Sequence, residues 1–144
     1  MSKSKKILLS IALLLVAAST YFAFNHETWL AQFNAERQQQ KAEFTERGQR
    51  FGQSGNQDSC LSQTLSQFGS CLGFECTVNE AVFLKSCLNS AAASEGFCDG
   101  VPAYSEKLSK DAKQWLKDRC WDVNVNGEGC RFLLKQHIYF CSQQ

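Results

Sequence analysis

The sequence predicts an all-α protein: an N-terminal transmembrane helix and a helical stalk, followed by a small disulfide-stapled domain of two helical hairpins, about four helices. Three observations support this prediction. Residues 7–24 carry no charge, and residues 25–51 are rich in helix-forming residues and lack proline. An interval of eleven residues separates Cys60 from Cys71, Cys76 from Cys87 and Cys130 from Cys141.

The N-terminus has the pattern of an export segment. Three lysines precede the apolar stretch 7–24, which at about 1.5 Å per residue makes a helix of about 27 Å, close to a hydrocarbon core of about 30 Å. Small residues at 16–19 suit a signal peptidase, but the apolar stretch continues to Phe24. Both outcomes stay open, and retention as a signal anchor is favoured, with residues 1–6 as a cytoplasmic basic tail.

The compartment follows from the cysteines. Eight cysteines in one short chain are typical of an oxidising space, and the N-terminus lacks the arginine-rich pattern of a mitochondrial transit peptide. We therefore expect a bacterial single-pass inner-membrane protein whose C-terminal domain lies in the periplasm. The alternative is a secreted or soluble periplasmic protein, released by signal cleavage.

A helical stalk is predicted over residues 25–51, and the glycine-rich segment 52–59 reads as a linker before the domain at 60–144. Leu30, Phe33, Phe44 and Phe51 fit heptad core positions, whereas Arg37, Gln40 and Arg47 interrupt them. The stalk is therefore expected to be solvated, with weak self-association or packing on a partner helix as the alternative.

The first hairpin is predicted from cysteine spacing. Eleven residues at 100° each bring Cys60 and Cys71 to one face of a helix, and Cys76 and Cys87 to one face of the next. Asp58 or Ser59 is expected to cap the first helix, and the segment 77–80 reads as a capping box for the second. In an antiparallel pair, reflection about the bend joins Cys71 to Cys76 and Cys60 to Cys87. Two apolar stripes are expected to form the seam: Leu61, Leu65, Phe68 and Leu72, and Ala81, Leu84, Leu88 and Ala91.

The second hairpin is predicted to be looser. The second helix is expected to end at Glu95-Gly96, a third to begin near Pro102 and end near Trp121, and a fourth to span Cys130–Cys141. The aromatic and β-branched content of this last segment leaves a strand as the alternative. Reflection pairs Cys120 with Cys130, which leaves Cys98 for Cys141.

Paired cysteines at helical spacing on a hairpin are similar to those of the coiled-coil-helix-coiled-coil-helix proteins, in which each helix carries a Cys-x9-Cys motif. The first hairpin here has gaps of ten instead, so the likeness is one of shared geometry and identifies no family.

Motifs for chemistry are weak in this sequence. Zinc knuckles use close cysteine pairs with two to four residues between them, and only Cys71 and Cys76 have such a gap here. Redox dithiols need two residues between their cysteines, and no pair has that spacing. No metal or cofactor is therefore predicted. His26 and His137 read as structural, nucleic acid is not expected from a near-neutral charge, and the expectation leans away from an enzyme. Four lysines, Lys107, Lys110, Lys113 and Lys117, form a basic strip on the predicted third helix, either solvated or in contact with anionic headgroups or an acidic protein.

These patterns favour an interaction protein over a catalyst. The expected function is that of a membrane-anchored periplasmic protein whose disulfide-braced helical module binds another envelope protein. The alternative is a soluble binder, such as an inhibitor or a toxin-like effector.

Overall fold

A computed structural model describes residues 3–71 and 73–144, and it confirms the all-α class. Its α-helices, in chain order, are α1 Lys3–Gln53, α2 Gln57–Gly69, α3 Phe74–Ser90, α4 Lys110–Asp122 and α5 Glu128–Cys141. Among the described residues the only extended pairing is an isolated bridge between Asn56 and Ala92. The chain divides into two compact units, Met1–Gln39 and Gln40–Gln144.

The first unit contains the apolar part of α1. Its stretch Ser4–Phe24 has a mean hydropathy of 2.3 and none of it is buried, so this helix is long and apolar enough to cross a membrane. Further along the same unit, the rings of Trp29 and Phe33 stack with their centroids 5.5 Å apart. Of the expected basic tail 1–6, Met1 and Ser2 lie outside the described residues.

The second unit begins with the end of α1, which packs against α3. A Cβ on Gly48 would come within 2.9 Å of Ser86 Cβ, and a Cβ on Gly52 within 3.1 Å of Ser90 Cβ, so two glycines one turn apart allow close packing of the helices. Phe44 also packs against the domain core. The last part of the expected stalk is therefore built into the disulfide-rich unit.

The segment 52–59, expected as a linker, is mostly helical, because α1 runs to Gln53 and α2 starts at Gln57. The N-cap of α2 is Asn56, not Asp58 or Ser59 as expected. Asn56 Oδ1 accepts from the Ser59 backbone N–H at 2.9 Å, and Ser59 Oγ accepts from the Asn56 N–H at 3.0 Å. This reciprocal pair begins the helix two or three residues earlier than the sequence suggested.

The capping box expected at 77–80 is also wrong. α3 begins at Phe74 after Gly73, whose φ of 101° suits the turn, and Thr77 Oγ1 donates to the Gly73 carbonyl at 3.1 Å inside the first turn. The helix ends at Ser90 and not at Glu95-Gly96. It ends there because the backbone of Ala92 pairs instead with Gly55 and Gln57 beside the start of α2.

The third predicted helix starts eight residues later than expected. Ser109 is the N-cap of α4, with its Oγ accepting from the Ala112 N–H at 3.1 Å, and residues 101–109 are not helical. The fourth helix is confirmed, because α5 covers Glu128–Cys141. Gly127, with a φ of 110°, supports the turn before it.

The core of the second unit consists of two clusters of buried side chains. One lies among α2, α4 and α5, where Leu116, Leu133 and Ile138 are each at most 2% exposed. The other lies among α2, α3 and the loop after it, around Phe83 and Leu84. Both expected seam stripes contribute to these clusters, except Leu72, which lies outside the described residues.

Candidate functional site

Four disulfides brace the second unit, in the pairs that the sequence predicted: three by reflection about the two bends, and Cys98 with Cys141 as the two cysteines left over. Cys60 bonds to Cys87, Cys71 to Cys76, Cys98 to Cys141 and Cys120 to Cys130, with Cα–Cα distances of 5.7, 6.2, 5.5 and 6.0 Å. The first and the second close the hairpin of α2 and α3 at its two ends. The third ties the end of α5 to the loop after α3, and the fourth closes the hairpin of α4 and α5.

These bonds use all eight cysteines, so thiolate chemistry has no group to carry it in this oxidised state. In the part of the chain that the structure describes, histidine, cysteine and carboxylate side chains form no cluster of three able to hold a metal. What remains for the domain is noncovalent binding at its surface.

The predicted lysine strip is divided by the late start of α4. Lys110, Lys113 and Lys117 lie exposed on α4, whereas Lys107 lies in the loop before it. The expectation that all four share one helix is therefore wrong for Lys107. The cause is Ser109, whose N-cap hydrogen bond fixes where the helix begins.

The structure adds cations from α5 to this strip. A groove of about 410 Å³ between the two helices is lined by Lys113 and Lys117 of α4 and by Arg131 and Lys135 of α5. The one carboxylate that lines it, Glu128, forms an ion pair with Arg131. We call this the basic groove.

Aromatic rings flank the basic groove. Phe132 lines it and is 44% exposed, and Tyr139, two turns further along α5, is also 44% exposed. Tyr104, in the loop before α4, meets the Tyr139 ring edge to face at 5.1 Å, and Lys135 Nζ lies 5.9 Å from the centre of the Tyr104 ring. Cationic and aromatic side chains therefore share this face of the domain.

A second depression, of opposite charge, also uses α4 and α5. It encloses about 260 Å³, and three carboxylates line it: Asp58, Glu95 and Asp99. Arg119 stands on the other wall, with its guanidinium 5.6 Å from the Trp115 ring centre. We call this the acidic cleft.

His137 forms part of the acidic cleft and is itself 5% exposed. Its Nε2 lies 3.0 Å from the Phe97 carbonyl, which only accepts, so Nε2 carries the proton. The imidazole packs on the Phe97 ring with centroids 4.2 Å apart, and Nδ1 is buried with no partner among the described residues. Burial lowers the pKa of His137, with Arg119 acting in the same direction, against the Phe97 hydrogen bond and Asp58, which raise it.

The acidic cleft continues into a larger groove along α2. This groove, of about 580 Å³, shares Asp58, Leu61 and Leu65 with the cleft and runs past Ser66 to Gly69. Its opposite wall is the turn between α4 and α5, around Asn124. We call it the α2 groove. Its apolar and polar lining suits a peptide segment or a protruding loop of a partner.

A buried carboxylate connects α3 to the end of α1. Glu80 is 5% exposed and burial raises its pKa, with nearby Arg47 opposing the shift. The Arg47 guanidinium lies 4.5 Å from the Phe44 ring centre and donates to Gln67 Oε1 at 3.2 Å. Glu80 therefore has no solvent-facing role, and its buried Oε2 has no hydrogen-bond partner among the described residues.

Comparisons of the chain with protein-family models, with curated proteins and with solved structures find no match.

Sequence reasoning missed both charged depressions. Arg131 and Lys135 lie in a segment whose apolar residues dominate its pattern, although their spacing of four was a readable signal of one polar face. Asp58, Glu95 and Asp99 are up to 41 positions apart in the chain, and no local pattern joins them.

Proposed function

We propose that this chain is a membrane-anchored extracytoplasmic protein whose disulfide-braced helical domain binds another protein of the cell envelope. Residues 7–24 hold it in the inner membrane, and the domain faces the periplasm. No catalytic step is assigned to it.

The observation that supports this proposal is the combination of an apolar helix with an oxidised domain. No part of Ser4–Phe24 is buried against the protein, so its apolar side chains gain nothing from folding and need a lipid environment. Four disulfides in the following unit are typical of a compartment outside the reducing cytoplasm.

Membrane fractionation tests the anchoring. After an alkaline carbonate wash, we expect the chain in the membrane pellet with its N-terminal lysines still present by mass spectrometry. Protease added to spheroplasts is expected to reach the domain but not the N-terminus. Recovery in the soluble fraction, with a new N-terminus near Ser19 or Thr20, would contradict the anchor.

The α2 groove is the surface that we assign to the protein partner. A photoreactive amino acid at Ser66, an exposed position in this groove, is expected to give one discrete cross-linked product in intact cells. Lys85, exposed on α3 and outside the groove, is the matched control. Products of equal yield from both positions, or none from Ser66, would remove this assignment.

The small residues at 16–19 support one alternative, a soluble periplasmic or secreted binder released by signal peptidase. The domain and its bridges serve the same binding role in this alternative. The mature N-terminus separates the two, because only cleavage removes the lysines at 3, 5 and 6.

A further inference from the structure

The basic groove is a local feature and does not reflect the charge of the whole unit. Residues 40–144 contain eleven basic and twelve acidic side chains, so the net charge of the unit is close to zero. Four of the eleven basic residues nevertheless line this one groove, with a single carboxylate that is already paired. This local excess of cations gives the domain a positive field at this face.

The aromatic side chains decide what kind of anion this face fits. Phe132 and Tyr139 lie seven residues apart on α5, hence on one side of the helix, and both are 44% exposed. Exposed rings beside lysines are the composition that favours the boundary between headgroups and acyl chains, where rings enter the boundary and cations meet phosphates. Protein interfaces also use exposed rings but are depleted in lysine, and three of the four cations here are lysines, so the combination favours headgroups over an acidic protein.

We propose that the basic groove and its flanking rings dock on the anionic surface of a phospholipid membrane. The phosphate of an acidic headgroup lies among Lys113, Lys117 and Lys135, and the rings of Phe132 and Tyr139 enter the interface. This inference rests on the proposed function, since a chain held in a membrane meets such surfaces at high local concentration.

Binding to vesicles tests the proposal with the full chain. The protein is placed in nanodiscs of neutral phosphatidylcholine, so that its apolar helix is already occupied, and is mixed with sucrose-loaded vesicles. We expect nanodiscs to sediment with vesicles that contain phosphatidylglycerol and not with vesicles of phosphatidylcholine alone. Salt at about 1 M, where the screening length is about 3 Å, is expected to release most of them.

Paired variants locate the binding face. A lysine near an anionic surface contributes about fivefold in affinity, so Lys117→Gln with Lys135→Gln is expected to weaken binding about 30-fold. The control, Lys41→Gln with Lys85→Gln, removes the same charge from exposed positions on α1 and α3 and is expected to change binding less than about threefold. Near-ultraviolet circular dichroism verifies that each variant is folded.

Three outcomes would overturn the proposal. The first is equal sedimentation with neutral and anionic vesicles, and the second is an equal loss in the two paired variants. The third is binding of a polyglutamate peptide through Lys117 and Lys135 without binding to anionic vesicles, which would make the groove a site for an acidic protein. Retention of the chain in the nanodiscs reports on the anchor separately, so a failure of either proposal is recognised on its own.

Discussion

Removal of the bridge between Cys60 and Cys87 is expected to destabilise the domain far more than removal of the bridge between Cys71 and Cys76. The first closes a sequence separation of 27 residues and the second one of 5. In the chain-entropy model these separations correspond to about 3.5 and about 2 kcal/mol of unfolding free energy.

Burial widens this difference. Cys60 and Cys87 are both fully buried in the core around Phe83, whereas Cys71 and Cys76 are half-buried at the bend. Replacing two buried sulfurs by alanine methyl groups adds a cavity cost of about 1–2 kcal/mol, which raises the loss at the first bridge to about 5 kcal/mol. That is a third or more of the stability of an ordinary domain.

The assay is urea unfolding of the full chain in detergent micelles, followed by tryptophan fluorescence, in which the half-buried Trp115 reports on the domain. Cys60→Ala with Cys87→Ala is expected to lower the transition midpoint strongly or to abolish the cooperative transition, while Cys71→Ala with Cys76→Ala retains it. Equal losses for the two double variants, or a larger loss at the bend, would refute the reasoning. Such a result would mean that the Cys60–Cys87 bridge stabilises the domain no more than the Cys71–Cys76 bridge, through either loop entropy or packing.

Three further predictions concern packing and pH. Gly48→Ala is expected to cost about 1–3 kcal/mol of unfolding free energy, because its Cβ would press on the α3 backbone. Gly69→Ala is expected to be tolerated, because the nearest atom to its Cβ is Val125 Cγ2 at 3.4 Å. Urea unfolding measures both variants. The pKa of Glu80 is higher in the folded state than in the unfolded state, so the parent protein loses stability as pH rises above about 4.5. Glu80→Gln has no such group and is therefore expected to gain stability relative to the parent over this range. The pKa of His137 is lower in the folded state than in the unfolded state, so the unfolded state takes up a proton first and the parent protein loses stability as pH falls below about 6.5. His137→Gln is expected to reduce this loss.

Each of these predictions has a contradicting result. Equal midpoints for the two glycine variants would mean that α1 and α3 do not pack closely at Gly48. Glu43→Gln, an exposed carboxylate on α1, is the control for Glu80→Gln, and identical pH trends in the two variants would contradict the buried role of Glu80. If His137→Gln loses stability at low pH as steeply as the parent does, groups other than His137 cause that loss.

The class of the fold and the cysteine pairs are readable in the sequence because both depend on one period. A helix turns 100° per residue, so residues eleven apart share a face, and reflection about a short bend then determines three of the four pairs. Cys98 and Cys141 are paired only because they are the two cysteines that remain. The same reasoning extends to α5, which is helical although its aromatic content also suits a strand. The spacing of residues along one segment carries this information, so it does not depend on contacts with other parts of the chain.

The helix ends and the charged depressions depend on contacts that the sequence does not display. α3 stops at Ser90 because Ala92 pairs with the backbone near Asn56, some 36 positions earlier. α4 starts at Lys110 because Ser109 takes the N-cap, although Pro102 also suits a first turn. The acidic cleft forms only when the start of α2 meets the loop after α3, so local patterns do not predict it.

The close packing of α1 on α3 shows the same limit. Gly48 and Gly52 lie four residues apart in the sequence. From sequence alone, such glycines indicate either a locally destabilised helix or the start of a linker. Only the position of α3 shows that the missing side chains make room for another helix.

The most direct test of the account is the intact mass of the chain, purified from whole cells and alkylated without a reducing agent. One spectrum reports both the N-terminus and the number of free thiols. The account predicts an uncleaved N-terminus and no alkyl group on any of the eight cysteines. A chain that begins near residue 19 or 20, or one that carries four or more alkyl groups, would contradict it.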